Sequence, residues 1–322
     1  MILIVTNRDD LTTDFVVLEL QDRKVPFLRL NTEEFSLGAS LAWAPLMSRI
    51  GEISHPTKGR FPLASINSVW FRRPMTPTTD LADERAETFA KAEWRAVLDN
   101  LWASLQSAFW VSPPANISAA SLKIPQLQIA QELGLKVPAT LISNDADELL
   151  SFFDNHGGNV IGKVLHAQTP TVTSNSYLIY TSRVAREDIV PEGLATPLLI
   201  QEYVEKAREI RVTIVGDSVF AVALDSQAVP EGVVDWRRAT LKLAHEPTTL
   251  PCSVSAQLKQ LMRRYGLQFA AIDLILTPEN EFVFLELNPN GQWAWLQQLT
   301  GVEIREALVD LLIEADVKRN HQ

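Results

Sequence analysis

The stretch FAAIDLILTPENEFVFLELNPNG, from Phe269 to Gly291, alternates β-branched and large apolar residues with other residues on both sides of positions 278–280. Alternation with a period of two residues predicts two β-strands, and the turn-forming residues between them predict a hairpin. With a two-residue turn, Asp273 lies directly opposite Glu286. The same register predicts one apolar face made of three opposed pairs: Ile272 with Leu287, Leu274 with Leu285, and Leu276 with Val283.

The hairpin also gathers oxygen-bearing side chains on the face opposite to the apolar one. Asn288 follows Glu286 by two residues, so a strand presents both side chains on one face, beside Asp273. Two carboxylates opposed across a strand pair repel each other unless a cation lies between them, and carboxylate plus amide oxygens beside phosphates suit Mg²⁺. The spacing alone fits either a magnesium site of Asp273, Glu286 and Asn288 or an edge hairpin whose solvated face is acidic.

Length and composition limit the class of protein. The 322 residues, 46% hydrophobic and 21% charged, predict a globular chain of about two or three structural units. A formal net charge of -10 argues against non-specific binding to nucleic acid or to anionic membranes, which needs an excess of Lys and Arg. Cys252 is the single cysteine, which excludes an intrachain disulfide and a cysteine-cluster zinc site. The apolar run at the amino terminus is too short for a signal peptide, and no segment reaches membrane-spanning length, so we expect a cytoplasmic protein.

The amino-terminal part of the chain predicts the start of a βαβ layer. Residues 1–6 and 25–30 have the pattern of buried strands, and residues 14–23 between them have a helical apolar pattern. The first turn has no glycine fingerprint, so no dinucleotide site is predicted. The run VSPPA at 111–115 predicts the end of this unit.

Two features of this first unit have more than one interpretation. Arg72 and Arg73 end a short strand that begins at Ile66, where they could hold a phosphate or an acidic peptide, or could be two solvated surface residues. A long amphipathic helix is predicted over Asp80–Gln106. Its aromatic face, which includes Phe89, favours core packing, although part of it could serve a subunit contact.

Two lysines are candidates for binding an anion. Lys123 lies on a helix predicted over Ala119–Leu133, where a lysine is usually only solvated. Lys163 interrupts the apolar strand Val160–Leu165, and burying an ammonium there is costly unless it meets an anion, so Lys163 is the better candidate. The polar loop Gln168–Ser176 could cover a ligand, although it lacks the glycines of a Walker loop.

The last third of the chain predicts antiparallel sheet. A second hairpin is predicted from the strands Ile210–Val215 and Val219–Leu224 around Gly216-Asp217. The loop that follows carries Asp235, Trp236, Arg237 and Arg238 within four residues, which is unusual for a plain connection. The order of elements therefore predicts an α/β amino-terminal domain followed by an α+β fold.

The order of these residues resembles the ATP-grasp superfamily, in which two α+β subdomains clasp ATP behind an α/β amino-terminal domain. The resemblance rests on Lys123, Lys163, Gln201-Glu202-Tyr203-Val204, Glu209-Ile210-Arg211, Asp273, and the run Glu286–Gly291. Over nearly its whole length the chain also resembles the graspetide synthetases, the maturases of microviridin-type peptides. That narrower resemblance rests on Val69–Pro74, Lys123 with Gln126-Leu127, Pro138–Asn144, Asp235–Arg237 and Asn288–Trp293.

The resemblance implies an organisation and a set of binding residues. It implies an amino-terminal pre-ATP-grasp domain over residues 1–112, a central ATP-grasp subdomain over 113–198, and a carboxy-terminal subdomain with the metal site over 199–322. It implies that ATP and Mg²⁺ are bound by the following groups: Lys123 and Lys163 at the phosphates and around adenine, Gln201 and the backbone of Glu202, Tyr203 and Val204 at the adenine edge, Glu209 at the ribose, and Asp273, Glu286 and Asn288 at Mg²⁺. Arg211 would lie near the transferred phosphoryl group.

The implied activity is that of an ATP-dependent ligase acting on a ribosomal precursor peptide, with leader and core segments, in a homodimer. A side-chain carboxylate of Asp or Glu would become an acyl phosphate, and a Ser or Thr hydroxyl or a Lys amine would then close a macrocycle. Arg72, Arg73, Asp235 and Trp236 would contact the peptide. Arg237 is a candidate for the cation that lets two anions approach, because a guanidinium can hold a carboxylate in bidentate fashion. The alternatives are a ligase that adds a free amino acid to a carboxylate, and a nucleotide-binding scaffold without turnover.

Overall fold

A computed structural model of the protein describes residues 1–44, 46, 51–77, 79, 81–165, 180–190 and 194–320. The predicted polar loop Gln168–Ser176 therefore lies outside the described residues. Within the described ranges, no helix combines the length and the apolar character that crossing a bilayer requires.

The amino-terminal unit has a parallel sheet at its centre, as the βαβ pattern predicts. Its elements are β1 (Ile2–Thr6), α1 (Leu11–Asp22), β2 (Phe27–Asn31), β3 (Ser40–Ala42), β4 (Glu52–His55), β5 (Gly59–Pro62), β6 (Ser68–Phe71), α2 (Glu84–Ser104) and β7 (Phe109–Val111). Four parallel strands lie in the order β2-β1-β6-β7, and all five residues of β1 are buried. A continuous apolar run suits a strand that is covered on both faces. The small antiparallel sheet β3-β4-β5 beside it has no sequence signal strong enough to predict it.

Helix α2 packs along part of its length only. Asp83 caps it by accepting a hydrogen bond from the backbone N–H of Arg85, so the helix begins four residues after the predicted start. Leu98 and Leu101, in its carboxy-terminal half, are buried, whereas Phe89 is 67% exposed. The prediction that Phe89 belongs to the packed face is therefore wrong, since the buried residues of the helix, Leu98, Leu101 and Trp102, all lie in its carboxy-terminal half.

The central unit is a four-stranded antiparallel sheet. Its elements are α3 (Pro114–Ala120), α4 (Lys123–Glu132), β8 (Thr140–Ser143), α5 (Ala146–Asn155), β9 (Val160–Lys163), β10 (Ser182–Arg183) and β11 (Leu198–Glu202). The strands lie in the order β10-β9-β11-β8. The single helix predicted over Ala119–Leu133 is two helices, because Pro125 is tolerated in the first turn of a helix but not in the interior. Lys123 is consequently the first residue of α4.

The carboxy-terminal unit is a five-stranded antiparallel sheet with helices on both faces. Its elements are β12 (Arg208–Val215), β13 (Ser218–Leu224), β14 (His245–Thr248), α6 (Cys252–Tyr265), β15 (Phe269–Leu276), β16 (Phe282–Asn288), α7 (Ala294–Thr300) and α8 (Ile304–Asn320), and the strand order is β14-β13-β12-β15-β16. One face packs against α3, α4 and α6. On the other face Val215 and Phe269 share a core with Ile4 and Trp70 of the amino-terminal sheet. The amino-terminal unit is thereby fixed to the sheet that carries the hairpin.

The β15–β16 hairpin keeps part of the predicted register and changes the rest. Asp273 faces Glu286 and Ile272 faces Leu287, as predicted. The turn, however, has three residues, 278–280, with Asn280 in the left-handed region at φ 61°. This turn shifts the outer pairs by one residue, and a bulge next to Asp273 restores the register. The predicted partners of Leu274 and Leu276 are therefore wrong, since the observed partners are Phe284 and Phe282 and it is Phe284 that enters the core.

Candidate active site

A pocket of about 450 Å³ lies between the central sheet and the β15–β16 hairpin. This volume is in the range of sites that bind small molecules. Thirteen of the sixteen predicted site residues line it: Lys123, Lys163, Gln201, Glu202, Tyr203, Val204, Glu209, Asp235, Trp236, Arg237, Asp273, Glu286 and Asn288. The other three, Arg72, Arg73 and Arg211, lie outside this lining.

The paired strands of the hairpin bring the two carboxylates of Asp273 and Glu286 together. Asn288 Nδ2 donates a hydrogen bond to Glu286 Oε1 at 3.1 Å and lies 3.5 Å from Asp273 Oδ2. Each carboxylate also has a cationic partner: Arg211 Nη1 is 2.8 Å from Asp273 Oδ2, and Lys123 Nζ is 3.1 Å from Glu286 Oε2. The repulsion expected between two facing carboxylates is thus offset by one cation on each side.

The two carboxyl groups differ in their protonation behaviour. Burial raises the pKa of Glu286, but Lys123 and Lys163 outweigh that effect and hold the pKa at about 2. Burial also raises the pKa of Asp273, and the nearby negative charge of Glu286 raises it further. Arg211 lowers the pKa of Asp273 but does not cancel these two effects, so the pKa stays above its usual value. Glu286 therefore keeps a full negative charge across the physiological range of pH.

The donor set fits a hard divalent cation. Among the described residues there is no group of three or more His, Cys, Asp or Glu side chains that could hold a metal ion. Two carboxylates and the amide of Asn288, turned so that Oδ1 faces inward, would leave most ligand positions to phosphate oxygens and water. That incomplete protein shell is how Mg²⁺ is commonly held beside nucleotides.

Lys163 points into the pocket from β9. Its Nζ donates to Gln201 Oε1 at 2.7 Å, and Gln201 Nε2 donates to Thr140 Oγ1 at 2.8 Å, so neighbouring strands fix the orientation of the ammonium. Burial lowers the pKa of Lys163, and the nearby Glu286 opposes that shift. An ammonium that is partly removed from water and held beside open space is suited to an anionic ligand.

The segment after β11 passes along the edge of the pocket. The backbone N–H groups of Glu202 and Tyr203 donate to the carbonyls of Ala139 and Asn159 at 2.9 and 2.8 Å. Among the described residues, no backbone acceptor takes the N–H of Val204. Of the three predicted contacts to adenine through the backbone, the N–H of Val204 is therefore the available donor.

Lys206 is a pocket residue that was not predicted from the sequence. Its buried Nζ donates to Glu209 Oε1 at 2.7 Å and to the carbonyl of Val234 at 2.9 Å. Burial raises the pKa of Glu209, and Lys206 opposes that shift. The only sequence signal was the position of Lys206 three residues before Glu209, just outside the strand pattern.

The loop that carries Asp235, Trp236 and Arg237 closes one side of the pocket. Arg237 Nε donates to Asp235 Oδ1 at 2.8 Å, while Asp235 Oδ2 accepts the N–H of Thr181 at 3.0 Å. Burial raises the pKa of Asp235, but the hydrogen bonds and charge of Arg237 leave it below its usual value. The Trp236 ring lies against that of Trp295, with centroids 5.3 Å apart. Arg237 remains 47% exposed, so one side of its guanidinium can still receive a ligand.

The two arginines after β6 have different surroundings. Arg72 is 1% exposed, and its guanidinium donates to the carbonyl of Asn290 and, at 2.8 Å, to Gln292 Oε1. This burial does not favour the predicted contact between Arg72 and a peptide. Arg73 is exposed, with Nη2 3.3 Å from the carbonyl of Asn290, and the predicted contact is sterically open to it.

Two family models match consecutive parts of the chain. The MvdD pre-ATP grasp domain matches residues 1–118, and the RimK-like ATP-grasp domain matches residues 120–312. The chain belongs to the RimK-like ATP-grasp family. The resemblance to ATP-grasp proteins and the predicted order of an α/β domain followed by an α+β ATP-grasp fold are thereby confirmed.

Two solved structures are similar to nearly the whole chain. The macrocyclase MdnC from Microcystis aeruginosa MRC, bound to its precursor peptide MdnA, is 30% identical, with a TM-score of 0.87 over 98% of this chain and 100% of that chain. An ATP-grasp ligase from Chryseobacterium gregarium, bound to ADP and to leader and core peptides, is 27% identical, with a TM-score of 0.88 over 97% of this chain and 96% of that chain.

The curated relatives match over a shorter region. A probable alpha-L-glutamate ligase from Citrobacter koseri is 28% identical over 201 residues, which are 60% of this chain and 63% of that protein. The matched region thus covers less than two thirds of the length of the curated relatives.

Proposed function

We propose that the protein is an ATP-dependent macrocyclase of a ribosomal precursor peptide. In the proposed reaction an oxygen of an Asp or Glu side-chain carboxylate attacks the γ-phosphorus of ATP, and ADP leaves. A Ser or Thr hydroxyl, or a Lys amine, then attacks the acyl carbon, loses its proton and expels phosphate. The product is an ester or an amide ring, and each ring lowers the mass of the peptide by one water.

The extent of the similarity is the observation that carries this proposal. MdnC, which was solved with a precursor peptide, is similar over 98% of this chain, so the likeness includes the amino-terminal domain. The glutamate ligases match over 60% of the chain. A similarity to a peptide-bound macrocyclase that extends over the amino-terminal domain supports a peptide substrate over a free amino acid.

The pocket residues fit the nucleotide roles that the family resemblance implies. Lys123 and Lys163 would neutralise phosphates, the N–H of Val204 would donate to the adenine edge, and Glu209 would accept from the ribose hydroxyls. Asp273, Glu286 and Asn288 would hold Mg²⁺, which in such sites neutralises charge on the phosphates. Lys123, which now pairs with Glu286, would then be free to turn toward the nucleotide, while Arg211, held by Asp273 and by the carbonyl of Gln292, would lie near the transferred phosphoryl group.

Arg237 is the residue we propose for bringing the peptide carboxylate to ATP. Two anions meet in this step, and a cation placed between them lowers the cost of their approach. Asp235 accepts hydrogen bonds from Nε and Nη2 of Arg237, and the half-exposed guanidinium lines the pocket, which also contains Glu286. Trp236 would exclude water beside it, and Arg73 would contact the acidic peptide further out.

The setting of the reaction completes the proposal. We propose a cytoplasmic homodimer that binds neither nucleic acid nor membrane, since ATP is cytoplasmic and the net charge of -10 does not favour polyanions. The exposed first half of α2, with Phe89 at its surface, is our candidate for the subunit contact. The division of the chain at residues 112–113 and 198–199 remains a proposal too, and β11, which begins at Leu198, pairs with the central sheet.

The experiment uses purified protein, Mg-ATP, and short candidate precursors rich in Thr, Ser or Lys together with Asp or Glu. Mass spectrometry should detect the loss of one water per ring with stoichiometric ADP, and Asp273→Asn should abolish it without unfolding the protein. Gain of a free glutamate by the peptide would instead support the alternative ligase activity. Nucleotide binding without ADP release with any peptide would support a scaffold, and either result overturns the proposal.

A further inference from the structure

The buried guanidinium of Arg72 connects the amino-terminal domain to the residues beside the pocket. Arg72 directly follows β6, and its backbone N–H donates to the carbonyl of Val5 at 2.9 Å, so its position is set by the parallel sheet. Burial lowers the pKa of Arg72 to about 10, which still leaves the group charged at neutral pH. A buried charge of this kind is costly unless its partners are well placed.

One side of the guanidinium faces Asp10. Arg72 Nε lies 3.4 Å from Asp10 Oδ2, which also accepts hydrogen bonds from the hydroxyls of Thr6 and Thr13 at 2.9 and 2.8 Å. Within the described part of the chain, neither Nε of Arg72 nor Oδ1 of Asp10 makes a hydrogen bond. An arginine whose only role is to neutralise a carboxylate would donate two parallel N–H hydrogen bonds to the two carboxylate oxygens. The orientation of Arg72 is therefore set by its other partners.

Those partners belong to the loop that follows the proposed metal residue Asn288. Arg72 Nη1 donates to the carbonyl of Asn290 and lies 3.3 Å from that of Gly291, and Nη2 donates to Gln292 Oε1 at 2.8 Å. The hydroxyl of Thr12, on α1, donates to the same Oε1. Two segments of the amino-terminal domain thus hold three consecutive loop residues.

The loop is in turn packed against Arg211. A Cβ at Gly291 would lie 2.4 Å from Cβ of Ala271 and 2.9 Å from Arg211 Nη2, so the backbone approaches both residues closely. The carbonyl of Gln292 accepts from Arg211 Nη2 at 3.2 Å, and Arg211 Nη1 donates to Asp273 Oδ2 at 2.8 Å. Polar contacts therefore run without interruption from Arg72 through the loop to Arg211 and Asp273.

We propose that Arg72 is a positioning residue for the ligase reaction, which holds the loop Asn290–Gln292 so that Arg211 and Asp273 keep their reactive placement. The inference rests on the proposed function for its rate measurement. It assigns Arg72 no contact with ATP or peptide, so its loss should lower turnover and leave both affinities unchanged. Partners that orient catalytic groups typically contribute about tenfold to a hundredfold in activity.

The test compares Arg72→Lys with Arg29→Lys. Arg29 is a matched control because its guanidinium, in the same domain, donates to Asn31 Oδ1 and to the carbonyl of Asn7, both at 2.9 Å, and pairs with Asp14 without touching the loop. Each substitution replaces a planar guanidinium, with its several N–H donors, by a single ammonium. We expect kcat for ring closure to fall tenfold to a hundredfold in Arg72→Lys at unchanged KM for ATP and precursor, and to stay within twofold of wild type in Arg29→Lys.

A second readout does not depend on the reaction. Hydrogen exchange should accelerate over residues 288–293 in Arg72→Lys and not in Arg29→Lys. If Arg72→Lys does not fold, Gln292→Ala, whose side chain lies at the surface, takes its place with the same two expectations. Equal losses in both arginine variants, a change confined to KM for the precursor, or unchanged exchange over the loop would overturn the inference. Failure of wild-type protein to close any ring would instead refute the proposed function.

Discussion

Replacing Lys163 by Met removes an ammonium from the wall of the pocket while keeping an unbranched apolar stem. In the structure Nζ donates to Gln201 Oε1 at 2.7 Å and is attracted by Glu286. With ATP bound we expect the ammonium to contact a phosphate. One charge-assisted contact of this kind contributes about 1.5–3 kcal/mol, which corresponds to about a tenfold to hundredfold change in Kd.

Lys123→Met is the matched comparison, because it removes the same charge from the same pocket. Lys123 is 25% exposed and pairs with Glu286 at 3.1 Å, so water and a carboxylate already solvate it when no nucleotide is bound. Its contact with a phosphate replaces interactions of similar strength. We therefore expect a smaller loss of ATP affinity, below about tenfold.

The Lys163 variant also changes how stability depends on pH. Burial lowers the pKa of Lys163 in the folded protein, whereas the unfolded chain keeps the ordinary value of 10.5. Between the two values the unfolded chain binds more protons, so the free energy of unfolding of the wild type should rise with pH relative to that of Lys163→Met. The affinity of the wild type for ATP should fall over the same interval, because the ammonium is lost.

Isothermal titration with a non-hydrolysable ATP analogue and Mg²⁺ measures the affinities, and urea unfolding at neutral and alkaline pH measures stability. An unchanged Kd in Lys163→Met, or a larger loss in Lys123→Met, would refute the assignment of Lys163 to the phosphates. Parallel stability curves for wild type and Lys163→Met would refute the lowered pKa.

Three further predictions follow from the pocket. Glu286→Gln should abolish ring formation with an unchanged circular dichroism spectrum, since it removes a metal charge and leaves the apolar face of the hairpin intact; rings formed at the normal rate would contradict the metal assignment. Arg237→Ala should slow cyclisation by about a hundredfold or more and leave the affinities for ATP and precursor nearly unchanged, because the contact it removes forms on the way to the transition state. A normal time course of cyclisation by mass spectrometry would exclude the proposed contact of Arg237 with the peptide carboxylate. Gly291→Ala should lower both melting temperature and turnover, because a Cβ there lies 2.4 Å from Cβ of Ala271 and 2.9 Å from Arg211 Nη2; wild-type values for both would show that the loop can move.

Much of the candidate site was predictable because it depends on local periodicity. The cross-strand pairing of Asp273 with Glu286 follows from the alternation of residues along two short strands. Both side chains line the same pocket. The turn length was not predictable, since Pro278, Glu279 and Asn280 are compatible with a two-residue or a three-residue turn. The core position of Phe284 follows from that turn and from the bulge, and was missed for the same reason.

Contacts between distant segments were not predictable from local pattern. Arg72 and Arg73 are adjacent in sequence, yet one is buried against a loop more than 200 residues away and the other is exposed. The pairing of Lys206 with Glu209 under the Val234 carbonyl likewise depends on how a loop folds back over β12. By contrast, the division of the predicted helix at residues 121–122 could have been inferred from Pro125.

The bulge beside Asp273 separates the hairpin into two parts whose registers differ by one residue. Between the bulge and the turn, the strands pair in the register set by the three-residue turn. On the other side of the bulge, they pair in the register that places Asp273 opposite Glu286. A slip of the strand pairing at the tip by one residue would exchange the inner and outer faces of one strand there. If the bulge disappeared in the same step, the turn would have two residues and Asp273 would still face Glu286, so the pairing of the two carboxylates does not depend on the register of the tip.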